Sequence, residues 1–271
     1  MRIRGLLRRL CVTAACLLGV GAIAPCGTAA EPLSDLSGRW ITVQRLTAVG
    51  EFPFLGRVTI RTTLGLFSEV TQTGSSLTLS DAYCFTDVDV STPLFVTSIP
   101  DATMQSIRPD PRSAELRGEN DGVWLVHDWH TEVRGAVLDD PVNDALPTYR
   151  SDPRVVDMES DGQIGFTIPA AIVGMFGGDT YVVQRFRYRL SGKLVDLDTI
   201  IGFVEWSTEQ QVLWATDALL MMPYVQWIDP DPTSHRFIMR RIDGTWTCES
   251  VRERALPLLE RLDDADPLGD A

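Results

Sequence analysis

Apolar and polar residues alternate with a period of two along most of this chain, and that alternation is the strongest constraint on its fold. It runs through "RWITVQRLTAV" (39–49), "RVTIRTTLGLFSEVTQ" (57–72) and "SLTLSDAYCF" (76–85). It returns in "VWLVHDWHTEV" (123–133), "TYVVQRFRYRL" (180–190), "IIGFVEWSTE" (200–209) and "RFIMRRI" (236–242), with shorter stretches at 94–99 and 165–170. Successive side chains of a strand point to opposite faces, so each stretch predicts a half-buried strand. About ten strands with few helices predict an all-β fold, with an antiparallel β-barrel as the expected architecture.

The same alternation sorts each strand into an inner and an outer set. Trp40 and Leu46 share one set with Gln44, and Phe186, Tyr188 and Leu190 share one with Gln184. These sets are the expected interior. A glutamine inside an apolar barrel needs a partner, whether the other glutamine, water or a ligand. Trp40, Gln44, Gln184, Phe186 and Tyr188 are therefore the candidate ligand-binding residues.

Two parts of the chain resemble each other. Val43-Gln44-Arg45 recurs as Val183-Gln184-Arg185, and 56–82 aligns with 192–218 without a gap. This predicts pseudo-repeats over about 38–135 and 164–243 inside a single domain spanning 31–250, a reading that internal repeats support. Between them, 136–158 reads as a long connection rich in Pro and Asp. Ser250 and Glu253 are spaced as a capping box, predicting a short helix at the start of 251–271, before an acidic tail.

Arg2, Arg4, Arg8 and Arg9 precede an apolar run over 10–24 and the small residues Gly27-Thr28-Ala29-Ala30. That order predicts a secretory signal peptide over 1–30, hence a secreted or periplasmic protein with no transmembrane span once the leader is removed. The leader holds four arginines and no acid, so its loss takes the formal charge from −13 to −17. Such a chain repels nucleic acid, which is not an expected partner. Of the five cysteines, only Cys84 and Cys248 lie beyond the leader, and in an oxidising compartment they predict one disulfide.

Two constellations could carry chemistry. In "DMESDG" (157–162), Asp157, Glu159, Asp161 and Gly162 occupy the first, third, fifth and sixth positions of a calcium loop, but the twelfth is Ile168. Calcium is thus a candidate cofactor, and an acidic turn is the other reading. In "HDWHTE" (127–132), Asp128, His130 and Glu132 would share one strand face, a set suited to a metal-dependent hydrolase. Phosphate-loop, G-x-S-x-G and H-E-x-x-H motifs are not present.

Gly38-Arg39-Trp40 resembles the G-x-W that opens lipocalins, and a mid-chain cysteine with one near the C-terminus is similar to their layout. That resemblance implies a barrel enclosing a small apolar ligand. "TSIPDA" (97–102), 146–168, "YVVQRFRYRLSG" (181–192) and "GFVEWSTEQQVL" (202–213) resemble a family of uncharacterised secreted bacterial proteins. In that family the acidic segment reads D-x-D-G-D-G-x-P-G, where this chain has Glu159, Ser160 and Ile164 at the third, fourth and eighth positions. The expected function is binding of a small apolar ligand or a cell-envelope component, without catalysis. A hydrolase using Asp128, His130 and Glu132, and a structural or adhesion module of the envelope, are the alternatives.

Overall fold

The computed structural model describes residues 34–254 and 257. The leader expected over 1–30 and the acidic tail lie outside them. Among the described residues, twelve antiparallel strands form one sheet. They are β1 (Gly38–Phe52), β2 (Gly56–Thr73), β3 (Ser76–Val90), β4 (Phe95–Thr97), β5 (Arg112–Glu119) and β6 (Gly122–His127). The rest are β7 (His130–Arg134), β8 (Phe166–Ile172), β9 (Phe176–Asp196), β10 (Thr199–Ala215), β11 (Val225–Ile228) and β12 (Arg236–Arg241).

Pairing runs β10-β12-β1-β2-β3-β5-β6-β9 and returns to β10, so eight strands close into a ring. The closure is uneven. Strand β3 meets β5 only over 76–79, and β9 meets β6 only over 191–193. Further along β9, β7 and β8 pair instead, and β4 extends β8. Helix α1 (Asp101–Ser106) packs on β3, where Gln105 Nε2 donates to the Cys84 carbonyl at 2.9 Å and Met104 enters the inner core.

The inner core takes residues from all eight ring strands, among them Trp40, Leu66, Leu79, Leu125, Tyr188 and Phe237. Trp40, Leu46, Phe186, Tyr188 and Leu190 share this cluster, as their alternation requires. A register shift between Gly65 and Leu66 leaves Cys84 as an extra residue in β3. Tyr83 therefore faces inward, while Cys84 and Phe85 join a second cluster on the outer face with Ile41, Val43, Phe67 and Ile238. Gly65 lies under the Phe85 ring, and a Cβ there would come within 2.3 Å of it.

Two straps cover the outside of the ring. The Cys84–Cys248 disulfide ties the C-terminal segment to the second cluster, with Val251 buried in it. The helix there starts at Cys248, earlier than Ser250 predicts. Thr247 is its cap, exchanging hydrogen bonds with Ser250 in a capping box shifted by one turn. The long connection 136–158 is the second strap. Its Ala136, Leu138 and Leu146 pack on Val183 and Leu213, and Arg185 donates to the Pro141 carbonyl at 2.8 Å. Aligned residue for residue, the proposed repeats set the β2–β3 turn against the middle of β10 and the β9–β10 turn against the middle of β2.

Candidate functional site

The ring interior holds a layer of charged and polar side chains, and strand breaks decide which they are. The stretch 123–133, expected as one strand, is interrupted at Asp128 and Trp129, between β6 and β7. The interruption resets the alternation. His127 is buried, Asp128 is exposed, and His130 and Glu132 turn inward. The predicted set of Asp128, His130 and Glu132 is thereby divided, and His127 stands where Asp128 was expected. Trp129 sits outside, with the Arg187 and Arg189 guanidinium groups 5.4 and 5.1 Å from its ring centre.

Two buried ion pairs anchor the layer. The first residue of β5, Arg112, pairs with Asp81 of β3; both side chains are almost wholly enclosed. Arg112 Nη2 donates to Asp81 Oδ1 at 3.1 Å, and Ser68 Oγ donates to the same oxygen at 2.7 Å. Thr42 Oγ1 lies 3.0 Å from Ser68 Oγ and extends the chain to β1. In the second pair, Arg134 Nη2 donates to Glu132 Oε2 at 3.1 Å. Tyr83 donates its phenol proton to Glu132 at 2.7 Å. From Arg134 the network runs to Gln184 at 3.0 Å and on to Gln210 and Tyr224. Gln184 thus has the partners an inward glutamine requires. Gln44, also buried, has no hydrogen bond at Oε1.

Between the pairs lie His127, His130 and Tyr188. The His127 ring stacks on Tyr188 with centroids 5.9 Å apart, and His130 meets Tyr188 edge-on at 5.6 Å. Burial, then the neighbouring Arg112 and His130, pushes the His127 pKa down to about 2, so the imidazole is neutral. Its Nε2 lies 3.1 Å from Arg112 Nη1, which can only donate, so Nε2 accepts and Nδ1 carries the proton. Burial raises the pKa of Tyr188, whose hydroxyl has no hydrogen-bond partner. Glu132 is held below the usual carboxylate range by hydrogen bonds and by Arg134, which together outweigh its burial.

This arrangement predicts acid sensitivity. An unfolded histidine takes up a proton below about pH 6.5, while folded His127 resists it down to about pH 2. Between those limits the unfolded state binds the extra proton, so stability falls with pH by about 1.4 kcal/mol per unit. Urea unfolding at pH 7.0, 5.5 and 4.5 should show that slope, and His127→Gln should flatten it. An equal slope in the variant would show that other groups cause it.

The acidic segment forms a turn. Asp157 accepts from the backbone N–H of Asp161 at 3.2 Å and of Gly162 at 2.9 Å. Ser160 and Gly162 have positive φ, the backbone such a turn needs. Glu159 is turned to Thr167, accepting from its N–H at 3.0 Å and its hydroxyl at 2.6 Å. Asp161 caps the Gln163 N–H at 2.8 Å. Among the described residues no three His, Cys, Asp or Glu side chains are grouped to hold a metal ion.

Of the predicted ligand-binding residues, Trp40, Gln44, Phe186 and Tyr188 are buried in the interior and Gln184 is half-buried. Two surface concavities lie elsewhere. One of about 390 Å³ is lined by Trp124 and Val126, on the face of β6 opposite Leu125 and His127. The other, of about 270 Å³, lies beside β11.

No protein-family model, curated protein or solved structure matches this chain.

Sequence reasoning missed Asp81 and Arg112 of the first pair, Tyr83 and Arg134 of the second, and the part played by His235. Asp81 and Arg112 were unmarked because a charged residue in a strand pattern reads as solvent-facing. His235 holds two elements together. Its Nδ1 accepts from the Thr47 N–H at 3.2 Å and the Trp206 indole at 3.1 Å, and its Nε2 donates to the Asp229 carbonyl at 2.8 Å. It clamps the loop before β12 onto β1.

Proposed function

We propose that this chain is an exported, non-catalytic binding module of the cell envelope that works through its outer surface. The observation that carries this reading is the burial of large side chains inside the ring. A lipocalin-like ligand needs an enclosed space of about 300 Å³ or more. Here Trp40, Tyr188 and Phe237 occupy the centre with two neutralised ion pairs. His127 is buried among these groups, and the His130 side chain is 10% exposed. The leader-like N-terminus and the disulfide support export. Among the described residues no helix is long and apolar enough to cross a membrane.

Fractionation of cells producing the chain with its own N-terminus tests the reading. The protein should be recovered from the periplasm or medium, begin at Glu31 and carry Cys84 linked to Cys248. Titration with an environment-sensitive apolar dye should show no stoichiometric site in the folded state. A cytosolic protein with Met1 intact, or one dye bound per chain and quenching its tryptophans, would overturn it.

A further inference from the structure

Four charge-free segments stand at one end of the ring: "FPFL" (52–55), "PLFV" (93–96), "AIVGMF" (171–176) and "ALLMMPYV" (218–225). They are remote in sequence and joined in space. Phe52 packs on Phe95 and on Tyr224, with ring centroids 5.0 and 4.8 Å apart. The Val173 N–H donates to the Leu94 carbonyl at 2.8 Å. Each segment lies at a strand end or turn and projects large apolar side chains outward: Phe54, Leu94, Val173, Met175, Leu219 and Met221 are all exposed. Phe54 is 70% exposed and Met175 58%. Clustered exposure of this kind marks a protein or membrane contact.

The geometry points to the surface of a neutral, zwitterionic lipid layer as the partner, with this end dipping into its headgroup region. Three features favour lipid over another protein. First, five of the tips' backbone donors are already used. The N–H groups of Leu55, Met175, Leu220 and Met222 bond to carbonyls within their own turns, and that of Leu219 to the Asp217 carboxylate. An apolar medium requires such internal satisfaction, whereas a peptide-binding edge leaves donors open. Second, the side chains come from four separate tips. Third, Glu51, Asp179 and Asp217 flank the apolar tips, against Arg57. Two copies meeting end to end would bring these acids together, and an anionic lipid surface would meet them with like charge.

The wall of the ring remains in water. Arg185 and Arg189 on β9 pair with Glu209 and Glu205 on β10 across the outer face. The lipid contact is therefore a shallow, end-on one and not insertion of the barrel. It rests on the envelope reading for where such a lipid layer would be met.

Co-sedimentation of the mature protein with phosphatidylcholine vesicles tests the contact. We expect binding that weakens when phosphatidylglycerol is added. Leu219→Ser with Met221→Ser, and Val173→Ser with Met175→Ser, should each lower partitioning at least tenfold. Leu197→Ser, exposed at the β9–β10 turn, should leave it unchanged. All these side chains are exposed, so circular dichroism and melting should match the parent in every variant. No partitioning at millimolar lipid, or equal partitioning of all variants, would overturn the proposal. So would a dimer in lipid-free solution abolished by the same pairs, since that makes a second copy the partner. Vesicle binding does not depend on export, so its failure leaves the fractionation result standing, and the reverse.

Discussion

Arg112→Ala is expected to lower the unfolding free energy by about 3–5 kcal/mol, because it strands a buried carboxylate. Arg112 and Asp81 have side-chain exposures of 0% and 1%. Without the guanidinium, Asp81 keeps only the Ser68 hydroxyl as a side-chain donor, at 2.7 Å. His127 also loses the donor 3.1 Å from its Nε2. The energy at stake is the desolvation of an uncompensated charge rather than the net strength of the pair. Replacing both partners, as Arg112→Met with Asp81→Leu, should therefore recover much of the loss. Urea unfolding of the parent, both single variants and the double variant checks this as a double-mutant cycle. A loss below about 1 kcal/mol for Arg112→Ala, the scale of an exposed pair, would mean that water reaches Asp81.

The second large effect is expected from the disulfide. Cys84 and Cys248 are 164 residues apart in sequence, so their bond restricts most of the unfolded chain. Chain-entropy arguments allow about 5 kcal/mol for so long a loop, and about 2–4 kcal/mol is more usual. The native state also loses an attachment. Val251 covers the outer face beside Ile41 and Ile238, while Arg252 reaches back to Asp101 at 2.7 Å and to Asp87 at 3.1 Å. The double variant Cys84→Ala, Cys248→Ala should unfold at lower denaturant and expose the segment after Gly244 to protease before the ring unfolds. An unchanged midpoint with intact protection would show that packing alone holds the segment.

Period-two alternation carried most of the strand assignment, because side-chain direction along a strand is a local property of the backbone. It placed Trp40 and Leu46, and Phe186, Tyr188 and Leu190, in one core before any pairing was known. It failed where the backbone departs from regularity. The interruption at Asp128-Trp129 exchanged Asp128 for His127, and the extra residue at Cys84 turned Phe85 to the outside. Strand β5 was overlooked because Arg112 opens it, although Ala114 and Leu116 alternate correctly. Strand β11 is only four residues long and has no buried residue.

The sequence by itself determined that this is a β protein, which faces of its strands are apolar, that Cys84 and Cys248 can pair, and that 157–162 can turn. Only the tertiary structure decided which groups meet. Asp81 and Arg112 are 31 residues apart, and the four apolar tips span 52 to 225. Their meeting depends on register and on closure of β9 against β10. Both are set by packing across the whole ring, and no local run of residues encodes them.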